Sequence, residues 1–178
     1  VKYSSSCDPN SKESFIRLWN NASMWPGEVI PKAGDNVTIL CDWTVLINID
    51  PEPMNFFIVD GDVVVDDSRD INVTAKAIHI RAGSLTVGSS DTRFVHKFTF
   101  QLNGGRYDSY YGVDPLLMAN KLFVVTGSLA LYGKTPSSIS TYLTSTASKG
   151  SNTIYVGSSS DWKEGDSLAL YPSFSNTD

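Results

Sequence analysis

This sequence is poor in the side chains that most often do chemistry. Its 178 residues include two histidines and two cysteines. His79 stands between Ile78 and Ile80 and is expected to point outward. His96 alternates with Phe94, Phe98 and Phe100 and is expected to point inward or to a corner, as a satisfied core group. Neither has a cysteine or carboxylate at metal-ligand spacing. A His-Glu-x-x-His helix, a phosphate-cradling glycine loop, a dinucleotide fingerprint and a nucleophile elbow are all missing, which excludes the enzyme classes those motifs serve. No apolar run approaches the roughly 20 residues of a membrane-spanning helix. Positive charge is short too: 14 Lys and Arg face 19 Asp and Glu, for a net charge of −5. Such a balance gives no general attraction for nucleic acid or an anionic membrane. It also disfavours charge-driven capture of acidic polysaccharides, unless Arg81, Arg106 and nearby lysines form a local patch.

Glycine, by contrast, is placed periodically. Gly61 and Gly83 stand 22 residues apart and Gly127 lies 44 beyond Gly83, so Gly105 falls on the missing step. Val63, Leu85 and Leu129 follow the three glycines at plus two, and Val65, Val87 and Leu131 at plus four. Ile58, Ile80 and Val124 precede them by three residues, and Phe56, Ile78 and Leu122 by five. Phe100 and Leu102 hold the same places ahead of Gly105, after which Tyr107 and Ser109 break the match. A fixed period of this size marks a repeat architecture. Alternation on both sides of a glycine marks two strands meeting at a corner, where the glycine supplies positive φ or close backbone approach. The expected fold is all-β: a right-handed parallel β-helix-like solenoid with rungs of roughly 22 residues. Phe56, Ile78, Phe100 and Leu122 would form one interior file, and Ile58, Ile80, Leu102 and Val124 another, at a spacing of about 4.8 Å. An evenly spaced β-sandwich is the alternative; it explains the alternation but not the common phase of four glycines.

With 41% apolar and 19% charged residues the chain is globular and long enough for a substantial core. The reading divides it into an N-terminal cap segment (1–24), a β-helical domain (25–172) and a linker to a following domain (173–178). Val1 opens no signal peptide, as expected of a mature terminus or an excised domain. Ser11 to Trp19 is expected to form a short helix that needs a surface to pack on. Phe57, Val59, Phe123 and Val125 are expected to face outward and to be covered by that segment or by a neighbouring domain. Ile154 and Val156, then Leu168 and Leu170, are expected to give two further short strands.

Particular stretches then add a resemblance. The run Trp25-Pro26-Gly27 with Pro31-Lys32-Ala33-Gly34-Asp35-Asn36-Val37-Thr38-Ile39, the run Val73 to Gly88, the run Gly127 to Gly133, and Trp162-Lys163-Glu164-Gly165-Asp166 come in one order and spacing. Together they resemble the eight-glycine (G-eight) domain family, a module shared by fibrocystin-type ectodomains and by cell-surface and secreted hyaluronidases. Val73 stands where that family favours leucine. The resemblance spans residues 25–171. It implies an extracellular, largely β, β-helical module that is one part of a much larger protein.

The candidate sites are few. Cys7 and Cys41 form either one disulfide or two buried thiols. Three glycosylation sequons, at Asn21, Asn36 and Asn72, tilt that choice toward a disulfide in an oxidising, extracellular setting. Asp60, Asp62, Asp66 and Asp67 are close enough in sequence to be candidate calcium ligands, yet no calcium-loop pattern is present, and solvated corner residues are the competing reading. Residues 106–120 interrupt the repeat. Within them Arg106, Tyr107, Tyr110 and Tyr111 are a candidate ligand or partner surface, since tyrosine offers an apolar face and a polar tip; burial of the tyrosines against their own loop is the alternative. No carboxylate pair is singled out for glycoside cleavage. No catalytic residue is assigned and no cofactor is expected. The expected function is a non-catalytic structural or recognition module of a cell-surface protein, working as an adhesion or receptor ectodomain part. Its partners would be neighbouring domains and a protein or glycan ligand, with no nucleic acid and no direct membrane insertion. Two alternatives stand beside it: part of a hyaluronidase-like protein that binds or cleaves glycans, and a building block of an extracellular filament or matrix.

Overall fold

The computed structural model describes residues 12–108, 112–113, 116–117, 121–135, 137–158 and 162–171. Its strands are β1 (Arg17–Leu18), β2 (Asn36–Ile39), β3 (Thr44–Ile47), β4 (Met54–Val59), β5 (Asp62–Val65), β6 (Ile71–Ile80), β7 (Ser84–Val87), β8 (Phe98–Leu102), β9 (Gly112–Val113), β10 (Leu116–Leu117), β11 (Leu122–Val125) and β12 (Ser128–Leu131). Among the described residues the helical turns are two short 3-10 pieces, Ala22–Met24 and Pro26–Glu28. The protein is all-β.

The first unit of the chain, Val1–Lys134, holds two parallel sheets. One runs β1-β3-β5-β7-β12; the other runs β2-β4-β6-β11, with β8 also paired to β6. Every pairing within the two sheets is parallel. The chain visits them in alternation: β2 then β3, β4 then β5, β6 then β7, β11 then β12. Parallel neighbours cannot be joined by tight hairpins, so each pass crosses to the other sheet before returning. β9 and β10 form a separate antiparallel pair. In the second unit, Thr135–Asp178, the one bridge among the described residues joins Leu143 to Val156. No strand forms at Leu168 or Leu170, which are exposed, contrary to expectation. Their short alternation has no neighbouring strand among the described residues to satisfy its backbone groups.

The inward faces of both sheets meet in one apolar cluster that includes Val37, Ile39, Val45, Ile47, Phe57, Val59, Val63, Val65, Ile78, Ile80, Leu85 and Val87. Each such side chain contributes about 1.5–3 kcal/mol when fully buried. In the first sheet the files match the glycine phasing: Val63 pairs Leu85, which pairs Leu129, and Val65 pairs Val87, which pairs Leu131. In the second sheet they do not. Phe57 lies beside Ile78 and Val59 beside Ile80, while Ile58 lies beside His79. The file expected to hold Ile58, Ile80 and Val124 is therefore split, and Phe57 and Val59 are interior residues rather than covered outer ones. Phe123 and Val125 likewise pair with Ile78 and Ile80. The cause is one residue. Asp60-Gly61 and Thr126-Gly127 join their strands, but the corresponding corner after β6 is Arg81-Ala82-Gly83. A slip of one position moves every side chain of a strand to the opposite face.

The step expected at Gly105 is also revised. β8 pairs with Ile71–Ala75 and β11 with the Ala77–Ile80 part of the same strand β6. The interval from Gly83 to Gly127 therefore holds one pass interrupted by an insertion, not two passes. Gly105 stands in the insertion, with open space around it.

The N-terminal segment is a strand and not a helix. β3 offers an unpaired edge, and Arg17 and Leu18 pair with Val45 and Leu46. Glu13 N donates to Asp42 O at 2.8 Å and Trp19 N to Leu46 O at 3.0 Å. Those bonds outweigh a helix too short to be stable by itself. The segment brings Trp19 into the core, edge-on to Trp25 at 5.0 Å and to Phe57 at 5.9 Å between ring centroids. A second aromatic row, Phe94, Phe98, Phe100 and Phe123, runs beside the last pass with centroid spacings of 6.4, 4.7 and 4.8 Å.

Candidate functional site

Polar side chains gather where the passes bend. At the glycine corner the Arg81 guanidinium grips both carboxylate oxygens of Asp60, at 2.7 and 2.5 Å. Ser84 Oγ donates to Asp62 Oδ1 at 2.7 Å, and Lys12 pairs with the other oxygen of Asp62. His79 Nε2 lies 3.0 Å from Thr126 Oγ1, whose hydroxyl proton is directed to the Arg81 carbonyl at 2.7 Å. The hydroxyl has one proton to give, so the imidazole is the donor in the His79–Thr126 bond. That leaves Thr126 an acceptor toward histidine, the reverse of what an activated nucleophile needs. His79 does lie on the outer side of its strand, as expected, yet it is 5% exposed. Burial, and then the Arg81 charge, hold its pKa below the usual value, with Asp60 opposing them.

At the opposite bends, carboxylates of one pass accept backbone N–H groups of the next. Asp50 Oδ1 accepts from Asn72 N and Asp70 Oδ1 from Lys97 N, both at 2.9 Å. Asp67 accepts from Val95 N at 2.9 Å and His96 N at 3.0 Å, and His96 Nδ1 lies 3.0 Å from the same carboxylate. Burial raises the Asp67 pKa, but these three groups outweigh it and hold the carboxyl below its usual value. His96 is therefore an exposed residue tied to Asp67 at a bend, taking the corner placement of the two expected and not the inward one. Its backbone belongs to a bend rather than to the alternation of β8.

Sequence reasoning missed the third feature, an aromatic cap built on the N-terminal segment. Trp25 Nε1 donates to Trp19 O at 3.0 Å. The Arg17 guanidinium lies 4.2 Å from the centre of a Trp43 ring and is paired with Glu13. A groove of about 360 Å³ opens beside this cap, with Trp25, Val29, Pro31, Asn36 and Trp43 among its walls. Glu28, which closes the second 3-10 turn, has φ of 56°, a conformation bulky residues rarely adopt. The signal for the cap was the clustering of Trp19, Trp25 and Trp43, which has no periodicity to reveal that the three rings meet.

The family model described as the G8 domain matches residues 24–144. The chain belongs to the G8 domain family. Fibrocystin from Mus musculus is 28% identical over 90% of this chain, and fibrocystin from Canis lupus familiaris 29% over 90%. Fibrocystin-L from Homo sapiens is 26% identical, again over 90%. The chain spans about 4% of the length of these relatives. No solved structure matches it.

In this G8 domain the expected site residues stand apart. Asp60, Asp62 and Asp67 serve the separate contacts just described, and Asp66 accepts from Ser68 Oγ at 2.5 Å. Among the described residues no three His, Cys, Asp or Glu side chains converge as metal ligands would. Cys41 follows β2; Cys7 lies outside the described residues. Asn36 is exposed at the start of β2, Asn21 caps the first 3-10 turn, and Asn72 is half-buried within β6. Tyr107 is 94% exposed beside exposed Arg106; Tyr110 and Tyr111 lie outside the described residues. The start of the insertion is anchored by Asp108, which accepts from Gly105 N at 2.9 Å and pairs with Lys76 at 3.5 Å. Among the described residues no helix is long and apolar enough to cross a membrane.

Proposed function

We propose that this G8 domain is a non-catalytic structural and recognition module in the extracellular part of a larger fibrocystin-like protein. Its alternating parallel passes are read as a right-handed β-helix-like solenoid, with a Cys7–Cys41 disulfide fastening the N-terminal cap to the first pass. One observation carries the non-catalytic part: His79, His96 and the carboxylates of Asp50, Asp60, Asp62, Asp67 and Asp70 are engaged in joining one pass to the next. Groups committed to holding a scaffold are not available to move protons in a reaction. Cys41 is not a free thiol, which supports the disulfide. Recognition is assigned to Arg106 and Tyr107, because a tyrosine almost wholly in solvent adds nothing to the core and suits contact with a protein or glycan.

Sizing hyaluronan after incubation with the domain, with and without calcium, tests the non-catalytic reading. Unchanged polymer length is expected, and shortened chains would favour the hyaluronidase-like alternative. For the disulfide, the intact mass is compared before and after alkylation without reductant. No alkyl group should be taken up, and uptake of two contradicts the pairing.

A further inference from the structure

Asn36 is exposed and stands at the start of β2, the edge strand of its sheet. Its Oδ1 accepts a hydrogen bond from Asn55 Nδ2 at 3.0 Å. The bond engages the carbonyl oxygen of Asn36 and not Nδ2, the atom to which a glycan is joined. The other sequons differ. Asn72 Nδ2 is engaged with Thr74 Oγ1 at 3.2 Å and Gln101 Oε1 at 3.4 Å. Asn21 is held by Ser23 and does not border the groove beside the aromatic cap.

Asn36 also forms part of the wall of the groove beside the aromatic cap. At about 360 Å³ the groove lies at the small end of ligand-cleft sizes, roughly 300–1,000 Å³. Its apolar walls include Val29, which is 50% exposed, with Pro31 and the buried rings of Trp25 and Trp43 behind it. Asp35 and Thr38 add polar groups at the same groove. A pyranose has an apolar C–H face and a polar rim, and this combination of walls matches it.

We propose that the groove is the seat of this chain's own N-linked glycan, with the first N-acetylglucosamine on Asn36 lying against Val29 and Pro31. The inference rests on the extracellular reading above. The attachment takes its sugar from a lipid-diphosphate-linked oligosaccharide. Asn36 Nδ2 bonds to the anomeric carbon, the bond from that carbon to the diphosphate oxygen breaks, the lipid diphosphate leaves with the electron pair, and the amide gives up one proton. The folded domain then shelters the product: the sugar shields an apolar surface that would otherwise face water.

The test uses the full chain secreted from mammalian cells, with peptide mass spectrometry to measure occupancy of Asn36. Glycans are trimmed to one N-acetylglucosamine, and hydroxyl-radical labelling of Val29 and Pro31 is compared with that of Asn36→Gln and Thr38→Ala protein. Thr38→Ala removes the sequon while keeping the Asn36–Asn55 bond, which covers the case in which Asn36→Gln fails to fold. Labelling is expected to rise several-fold in both variants and to stay unchanged in Asn21→Gln. An occupied Asn36 with equal labelling in all proteins overturns the seat alone. An unoccupied Asn36 in secreted protein overturns the seat together with glycosylation at that sequon.

Discussion

The carbonyl oxygen of Gly61 lies 1.7 Å from the point where a Cβ on Gly83 would stand. A Cβ on Gly127 would likewise stand 2.3 Å from the Gly83 oxygen. Ser84 N bonds to Gly61 O at 3.0 Å and Ser128 N to Gly83 O at 2.9 Å, so the passes are tied where they come closest. Gly61, Gly83 and Gly127 all have negative-φ or extended backbone. Glycine is required here by backbone approach, not by left-handed conformation.

Gly83→Ala should therefore push two passes apart and cost about 3 kcal/mol, the upper end of overpacking penalties. Gly105→Ala, in open space, should change stability by less than about 0.5 kcal/mol. Urea unfolding of the two variants beside the parent measures both. Equal midpoints for all three would contradict the stacking.

Removing the Trp19 side chain should cost about 3–5 kcal/mol, as for other large-to-small changes in a core. Trp25→Phe keeps most of the ring but loses the Nε1 bond to Trp19 O, and about 1 kcal/mol is expected. Thermal unfolding should rank the two in that order.

His79 should make stability depend on pH. Its folded pKa lies below the usual 6.5, so the unfolded chain binds the proton more tightly. The stability is present above the unfolded value and is lost as pH falls from there through the folded pKa. Denaturant unfolding from pH 7.5 down to about pH 5 should show a decline that flattens in His79→Gln.

Asp67 gives a second, more acidic dependence. Its folded pKa is below 3.8, so its contribution is present above that value and fades as pH falls through the folded pKa. Asp67→Asn should lose about 1–2 kcal/mol at neutral pH, where the carboxylate bonds to Val95 and His96 are charge-assisted. The gap between parent and variant should narrow in acid, followed by urea midpoints at two pH values.

The particular residues show how far the sequence could be read. The strand β5 and its counterparts β7 and β12 were legible because Val63, Leu85 and Leu129 keep a fixed distance after their glycines. The strand before each glycine was legible as a strand but not in its facing. Ala82 looks like any small residue, yet it is the extra one that turns Ile78 and Ile80 inward where Phe56 and Ile58 turn out. The insertion was hidden for a related reason: its length happened to restore the phase at Gly127, so Gly105 passed for a corner. Arg81 and Asp60 are 21 residues apart, and no local pattern announces that they meet.

The sequence by itself determined that the core of the chain is β, that apolar residues recur in phase with glycines, and that Gly61, Gly83 and Gly127 mark corners. These properties live in short-range alternation and glycine spacing, which the windows around Gly61, Gly83 and Gly127 display. Only the tertiary structure decided which faces are inside, that β1 forms in place of a helix, and which carboxylate meets which backbone N–H. Parallel pairing joins residues 18 or more positions apart, and its register is set by the length of each bend, where a single residue reverses every side chain that follows.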